Sequence, residues 1–233
     1  MKNKRYASAA ETVSCMRDGA TVLIGGFGHA GIPDLLIEAV CDRGLRGLTI
    51  VTNNSGRGRT GIARLIESGC VAKIVCSFPI AKEGYVFREW YEAGKIGVEV
   101  VPQGTLAERI RCAGAGLGGF LTPTGVGTDV AEGKQLLTVN GSDYLLELPL
   151  RGDFALIRAN VVDARGNLTY RKAARNFNAV MATAADVVLV QANREVELGG
   201  LDPEVIITPG LYVDRYFVAE AAPAAKAAVA GRS

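Results

Sequence analysis

The sequence is short of histidine, paired cysteines, proline and net charge, and it has no long apolar run. No stretch of its 233 residues approaches the roughly 18 consecutive apolar residues that cross a bilayer, which argues against a membrane protein. The N-terminal MKNKRYASAAETV lacks the apolar centre of a secretory signal. Basic and acidic residues number 26 and 24, a net charge of +2, and no basic stripe is interleaved with aromatics. Nucleic acid and membrane surfaces are therefore not expected partners. His29 is the only histidine, and the five cysteines (Cys15, Cys41, Cys70, Cys76, Cys112) contain no C-x-x-C pair, so no zinc pattern exists and no metal is expected. The odd count and the apolar neighbours, as in KIVCSF around Cys76, read as buried reduced thiols in a cytoplasmic protein.

What the chain does have is glycine, 29 residues against 8 prolines, and a hydrophobic fraction of 48%, enough to bury a large core. Short β-branched runs at Thr21–Ile24, Leu48–Thr52, Lys73–Phe78 and Val98–Val101 alternate with helical patterns over Pro33–Asp42, Gly61–Glu67 and Tyr85–Ala93. In the first of these, Leu35, Leu36, Ala39 and Val40 share a face. This alternation predicts an α/β fold with an open, mostly parallel sheet covered by helices on both faces. Another helix follows Pro102, with Thr105 as N-cap of a capping box completed by Glu108, and it fades at the glycines of 114–119. The second half is richer in strands: Tyr144–Leu148, Asp153–Arg158 and Val187–Gln191, with a helix near Val180–Ala185 and β-rich additions around them. We read one domain over residues 1–218 and an Ala-rich, frayed tail over 219–233, with no internal repeat of fixed period.

The stretch TVLIGGFGHAGIPDLL raises the question of function. It contains G-x-G-x-x-G at Gly26, Gly28 and Gly31, between a strand and a helix. A dinucleotide site also wants an acid at the end of the second strand, where Thr52-Asn53-Asn54 stand instead, so a nicotinamide or flavin oxidoreductase is disfavoured. TPTGVGTDVAEGK fails as a Walker A loop, because its glycines are wrongly spaced and Lys134 is followed by Gln135. Two readings of the turn stay open: backbone N–H groups offered to an anionic ligand, or glycines that let the helix fold back on the sheet.

Further motifs point to a family. GGFGHAGIP (Gly25–Pro33), TNNSG (Thr52–Gly56), VPQGTLAERIR (Val101–Arg111), TPTGVGT (Thr122–Thr128), GNLTYRKAARNFN (Gly166–Asn178) and ITPGLYV (Ile207–Val213) occur in one order. Together they resemble the A (α) subunit of family I CoA-transferases, the 3-oxoacid CoA-transferases, over residues 5 to 218. CSFP at Cys76–Pro79, followed by YVF and AGKI, looks most like the 3-oxoadipate subclass, with acetoacetate the nearest alternative acceptor.

The resemblance implies a chemistry. CoA passes from succinyl-CoA to a free 3-oxo acid through a glutamyl-CoA thioester, with CoA thioesters as substrates and no separate cofactor. It also implies that the nucleophilic glutamate lies on a B subunit, near a Ser-Glu-Asn-Gly motif absent here, within an α2β2 assembly. Gly25, Gly26, Phe27, Gly28, His29, Ala30 and Gly31 correspond to the CoA-binding turn, and Gln103 to a glutamine whose amide helps form the oxyanion hole. Asn53 and Asn54, at the end of the second strand, are candidates for binding a substrate carboxylate or carbonyl, or for turn-making. Arg171, Lys172 and Arg175 could serve an anionic substrate or a solvated face, and His29 is not required as an acid or base. Glu38, Glu108 and Glu132 read as helix and surface carboxylates. A binding or regulatory module that has lost its chemistry is the alternative outside enzymes.

Overall fold

The computed structural model describes residues 3–80 and 83–219. The tail expected from residue 219 onward lies, apart from Ala219, outside the described residues. After a short helix, Ala9–Thr12 (α1), the protein runs as β1 Thr21–Ile24, α2 Asp34–Asp42, β2 Leu48–Asn54, α3 Ile62–Glu67, β3 Val71–Phe78, α4 Tyr85–Glu92, β4 Gly97–Val100 and α5 Gln103–Gly114. It continues with β5 Phe120–Thr122, β6 Leu136–Val139, β7 Ser142–Glu147, β8 Gly152–Asp163, β9 Leu168–Thr169, α6 Asn176–Met181, β10 Ala185–Val196 and β11 Arg215–Val218. The main sheet has the order β11-β10-β8-β1-β2-β3-β4, every pair along it parallel, with β9 antiparallel on β8.

Side-chain alternation along the strands divides the core into two layers. Val22, Ile24, Leu48, Ile50, Ile74 and Leu156 point to the layer of α2, α3 and α4, where Leu36, Ile37, Leu65, Ile66 and Phe87 meet them. Leu23, Val51, Val75, Ala155 and Ile157 point the other way, onto Leu106 and Ile110 of α5 and Phe177 and Met181 of α6. Both faces are covered, as the sequence pattern predicts for a parallel sheet.

Several expectations need correction. Leu35 is exposed, and the buried face of α2 is Leu36, Ile37, Ala39, Val40 and Cys41. Thr105 does not cap α5. Pro102, with φ −51° and ψ 137°, holds the N-cap position, so the helix starts at Gln103 and Thr105 is drawn into the core beside Leu106. Glu108 is bound instead by Arg111 (2.6 Å). The helix expected near Val180–Ala185 lies earlier, at Asn176–Met181, because Phe177 and Met181 are its core-facing pair. A three-stranded antiparallel sheet, β5-β7-β6, is legible in the sequence only at its Tyr144–Leu148 strand. It is tied to the main body where Glu147, 2% exposed, meets Arg109 of α5 at 3.8 Å; within the small sheet the same carboxylate takes Lys134 at 2.5 Å.

The fold also contains a local repeat. Gly26-Phe27-Gly28-His29-Ala30-Gly31 after β1 recurs as Gly56-Arg57-Gly58-Arg59-Thr60-Gly61 after β2. Each loop closes with an antiparallel bridge, Phe27 to Ala30 and Arg57 to Thr60, and the glycines at matching positions all have positive φ. The two turns are successive copies of one strand-to-helix connection.

Candidate active site

Parallel strands deliver their C-terminal ends to one edge of the sheet, and ligands gather there where the strand order reverses. In this fold that point is β1, with β8 on one side and β2 on the other. The Gly25–Gly31 turn leaves β1 here, Asn53 and Asn54 end β2, Ser77 and Phe78 end β3, and Gln103 follows β4 as the first residue of α5. They enclose a crevice of about 410 Å³ lined by Phe27, Gly28, Asn53, Asn54, Arg57, Ser77, Phe78 and Gln103.

The turn itself is held from below. Asn178, fully buried on α6, accepts from the Arg158 N–H (2.9 Å) and donates to the carbonyls of Gly31 and Ala174 (2.9 Å each). Asn176 accepts from the Gly26 N–H (3.1 Å) and donates to the Ala30 carbonyl (2.9 Å). Gly25 N–H donates to the Leu156 carbonyl, and Phe27 and Ala30 bond each other, so four of the turn's N–H groups are committed internally. Those of Gly28, His29 and Gly31 make no hydrogen bond among the described residues. The close glycine contacts set the tip apart from the two ends of the turn. A Cβ on Gly25 would lie 2.0 Å from Asn178 Oδ1, whereas one on Gly28 would meet nothing within 4 Å. Two of the three motif glycines are thus explained by internal fit: Gly26 faces Ile32, and Gly31 faces Asn178 and Ala174. The tip, Phe27 to His29, is what the turn presents outward.

The amides of the crevice form a directed series. The Gly56 N–H donates to Asn54 Oδ1 (2.9 Å), Asn54 Nδ2 to Asn53 Oδ1 (3.2 Å), and Asn53 Nδ2 to Gln103 Oε1 (3.1 Å). Gln103 Nε2 has no acceptor among the described residues. The structure therefore brings Asn53, Asn54 and Gln103 together. Asn53 is 5% exposed, whereas Gln103 is open to solvent.

Charge is sparse in the crevice. Among the described residues Arg57 is the cation lining it and has no ionic partner, whereas Arg59 pairs with Glu67. No carboxylate lines it among the described residues. Asp34 and Glu38 border a neighbouring cavity of about 370 Å³ that also takes in His29, and each has a basic partner, Arg158 (3.7 Å) and Arg64 (3.6 Å). Burial raises the Asp34 carboxyl above its ordinary pKa, against the pull of Arg158 and His29. Behind Gln103, Glu99 on β4 takes Lys73 (2.6 Å) and Arg109 (3.1 Å). Burial would raise its pKa, but these two cations outweigh it and hold the carboxylate low, pinning β4 to β3 and α5.

Arg171, Lys172 and Arg175 are exposed on the segment before α6 and do not line the crevice. Sequence reasoning missed four residues of the site. Arg57 is signalled only by the repeated glycine pattern, and Asn176 and Asn178 lie inside the GNLTYRKAARNFN motif with nothing local to give them a role. The fourth is Ser77, whose hydroxyl is buried at the crevice with no hydrogen-bond partner among the described residues. The five cysteines are free thiols, four of them buried, and burial pushes Cys76 up to about 11. No cluster of three metal-ligating side chains and no helix long and apolar enough to cross a membrane occurs among the described residues.

An α/β sheet with a small-molecule crevice at its switch point, floored by neutral amides, defines the class. The protein belongs to the Coenzyme A transferase family, whose model matches residues 6–219. It is 53% identical over 230 residues to the A subunit of the 3-oxoadipate CoA-transferase of Pseudomonas putida, a match covering 99% of the present sequence and 100% of that one. It is 50% identical over 220 residues to the alpha subunit of the acetate CoA-transferase of Escherichia coli K12, covering 94% and 99%. Among solved structures, an acyl-CoA transferase of E. coli O157:H7, in a thioester complex with CoA, superimposes with a TM-score of 0.81 at 25% identity. That match covers 93% of the present protein but 47% of the other, so this one spans about half of that enzyme.

Proposed function

We propose that this protein is the A (α) subunit of a two-subunit, cytoplasmic CoA-transferase, assembled as α2β2, that moves CoA from succinyl-CoA to 3-oxoadipate. The observation that carries the reading is a crevice that, among the described residues, has a free amide donor, one unpaired cation and no lining carboxylate. A glutamyl-CoA intermediate, the kind that the family resemblance implies, needs a carboxylate nucleophile, and none lines this crevice among the described residues. The succinyl thioester carbonyl is attacked by a glutamate of the partner subunit. Gln103 Nε2 donates to the oxyanion that develops, a role for which a neutral donor without reorganisation suits best. CoA leaves as thiolate, forming an acyl-glutamyl anhydride. The thiolate then attacks the glutamyl carbonyl, releasing succinate and leaving glutamyl-CoA, and the same steps reverse on the acceptor. CoA thioesters enter as substrates, and no cofactor takes part.

Phe27, Gly28 and His29 form the part of the turn that faces the CoA thioester. An adjoining apolar groove of about 310 Å³, lined by Phe27, Ala107, Phe177 and Val180 and open to Gln103, suits the uncharged arm of CoA. Arg57 favours 3-oxoadipate over acetoacetate, because only an acceptor with a second, unreacting carboxylate gives that cation a permanent partner. The test is a reconstituted pair. Mixed with its B subunit, the protein is expected to form 3-oxoadipyl-CoA from succinyl-CoA, followed by Mg²⁺-enolate absorbance, faster than acetoacetyl-CoA and only when both subunits are present. A preference for acetoacetate would change the acceptor and keep the mechanism, whereas full activity without the B subunit would overturn the half-site reading.

A further inference from the structure

The catalytic donor on Gln103 has two ends, and only one of them can stabilise an oxyanion. A primary amide offers a carbonyl oxygen and an NH₂ group of nearly equal size, so packing alone does not choose which faces the crevice. Something must fix the polarity.

We infer that Asn54 and Asn53 are positioning residues that fix it, through a one-way relay starting from the backbone of the second glycine turn. This rests on the role given to Gln103 above. The relay starts from a group that cannot reverse. The Gly56 N–H can only donate, and it donates to Asn54. The atom it meets must therefore be Oδ1, which turns Asn54 Nδ2 toward Asn53. Asn53 must meet that donor with Oδ1, which turns its own Nδ2 toward Gln103. Gln103 must answer with Oε1, and Nε2 is left aimed away from the relay. Each choice forces the next. The three bonds, of 2.9, 3.2 and 3.1 Å, lie in series, and hydrogen bonds so arranged polarise one another in the same sense.

The starting point is itself fixed. Gly56 has φ +89°, and a Cβ there would lie 2.4 Å from the Ala63 N, so only glycine places this N–H where it stands. The neighbouring Ser55 is buried and bonded through its hydroxyl to the Pro79 carbonyl (2.5 Å), which holds the loop from the other side. The second turn thus has a task the first does not share. After β1 the equivalent N–H, that of Gly26, is taken by Asn176, whose NH₂ ends on the Ala30 and Ala173 carbonyls and goes no further.

A relay with a direction can be run backwards. In Asn54→Asp, a carboxylate accepts at both ends. Asn53 then turns Nδ2 toward residue 54 and Oδ1 toward Gln103, and Gln103 turns Nε2 inward. The crevice now faces a carbonyl oxygen where it had a donor. Asn53→Asp reverses the last link in the same way. The test uses the assembled two-subunit enzyme, with melting temperature as the folding control. Expected for Asn54→Asp, Asn53→Asp and Gln103→Ala alike is a fall in kcat of about 10²-fold or more, with KM for both substrates little changed. The double variant N54D/Q103A is expected to be no slower than Q103A, since residues acting as one unit do not add. A new negative charge acting directly on the transition state would instead persist without Gln103, and the two losses would multiply.

Multiplication, or normal kcat in both Asp variants while Q103A is impaired, overturns the relay and leaves Gln103 in place. Normal kcat in Q103A removes Gln103 from the site, and the relay with it. Failure of one Asp variant to fold leaves the other, which reverses the same amide, to decide.

Discussion

Replacing single turn glycines by alanine separates the glycines required for internal fit from those that face a ligand. In Gly25→Ala the new methyl would stand 2.0 Å from Asn178 Oδ1 and 2.6 Å from its Cγ, far inside any contact distance. Asn178 is fully buried and can move only by releasing the Arg158 N–H and the carbonyls of Gly31 and Ala174. Three hydrogen bonds at a net ~1 kcal/mol each, plus buried polar groups left unsatisfied, give a loss of about 3–5 kcal/mol. Gly28→Ala meets no atom within 4 Å and costs only the left-handed backbone at φ +60°, about 1–2 kcal/mol. For a protein of this size the first corresponds to a melting temperature lower by roughly 10 °C and the second by roughly 4 °C. The assay is thermal unfolding by circular dichroism, run on the assembled pair and on the isolated protein. If Gly28→Ala were as destabilising as Gly25→Ala, or Gly25→Ala were neutral, the account of the turn as clamped by Asn178 would be refuted.

Other outcomes follow from the same geometry. Arg57→Met is expected to raise KM for 3-oxoadipate by about 10-fold or more, the worth of one charge-assisted bond, with a smaller effect on acetoacetate; equal effects on both acceptors would take Arg57 out of acceptor recognition. Glu147→Ala leaves Lys134 and Arg109 without the buried carboxylate between them and should destabilise by about 3 kcal/mol, read from urea unfolding; a neutral result would show that the small sheet does not depend on that carboxylate.

The parallel sheet was legible because its strands carry apolar residues on both faces and its helices one apolar face, so periodicity separated them. The bounds of β1 are readable from TVLI alone. The small antiparallel sheet was not legible, because Leu136–Val139 and Phe120–Thr122 are half exposed and too short to alternate convincingly. Within the site, strand-end placement made Asn53, Asn54 and Gln103 readable as neighbours. The grip of Asn178 on Gly31 was not readable, since it joins positions 147 residues apart and no local pattern encodes such a contact. The misplaced Thr105 cap shows the opposite failure: a correct local motif overruled by Pro102, which starts the helix earlier.

In the function proposed above, this protein holds half of a catalytic site and the nucleophile belongs to the other half. That assignment is tested most directly by trapping the covalent intermediate. The assembled pair is incubated with succinyl-CoA without acceptor, the enzyme–CoA thioester is reduced with borohydride, and both polypeptides are mapped by peptide mass spectrometry. One reduced glutamate is expected, on the partner subunit, with no modification of the present protein. A reduced carboxylate here, whether Asp34, Glu38 or any other, would contradict that assignment.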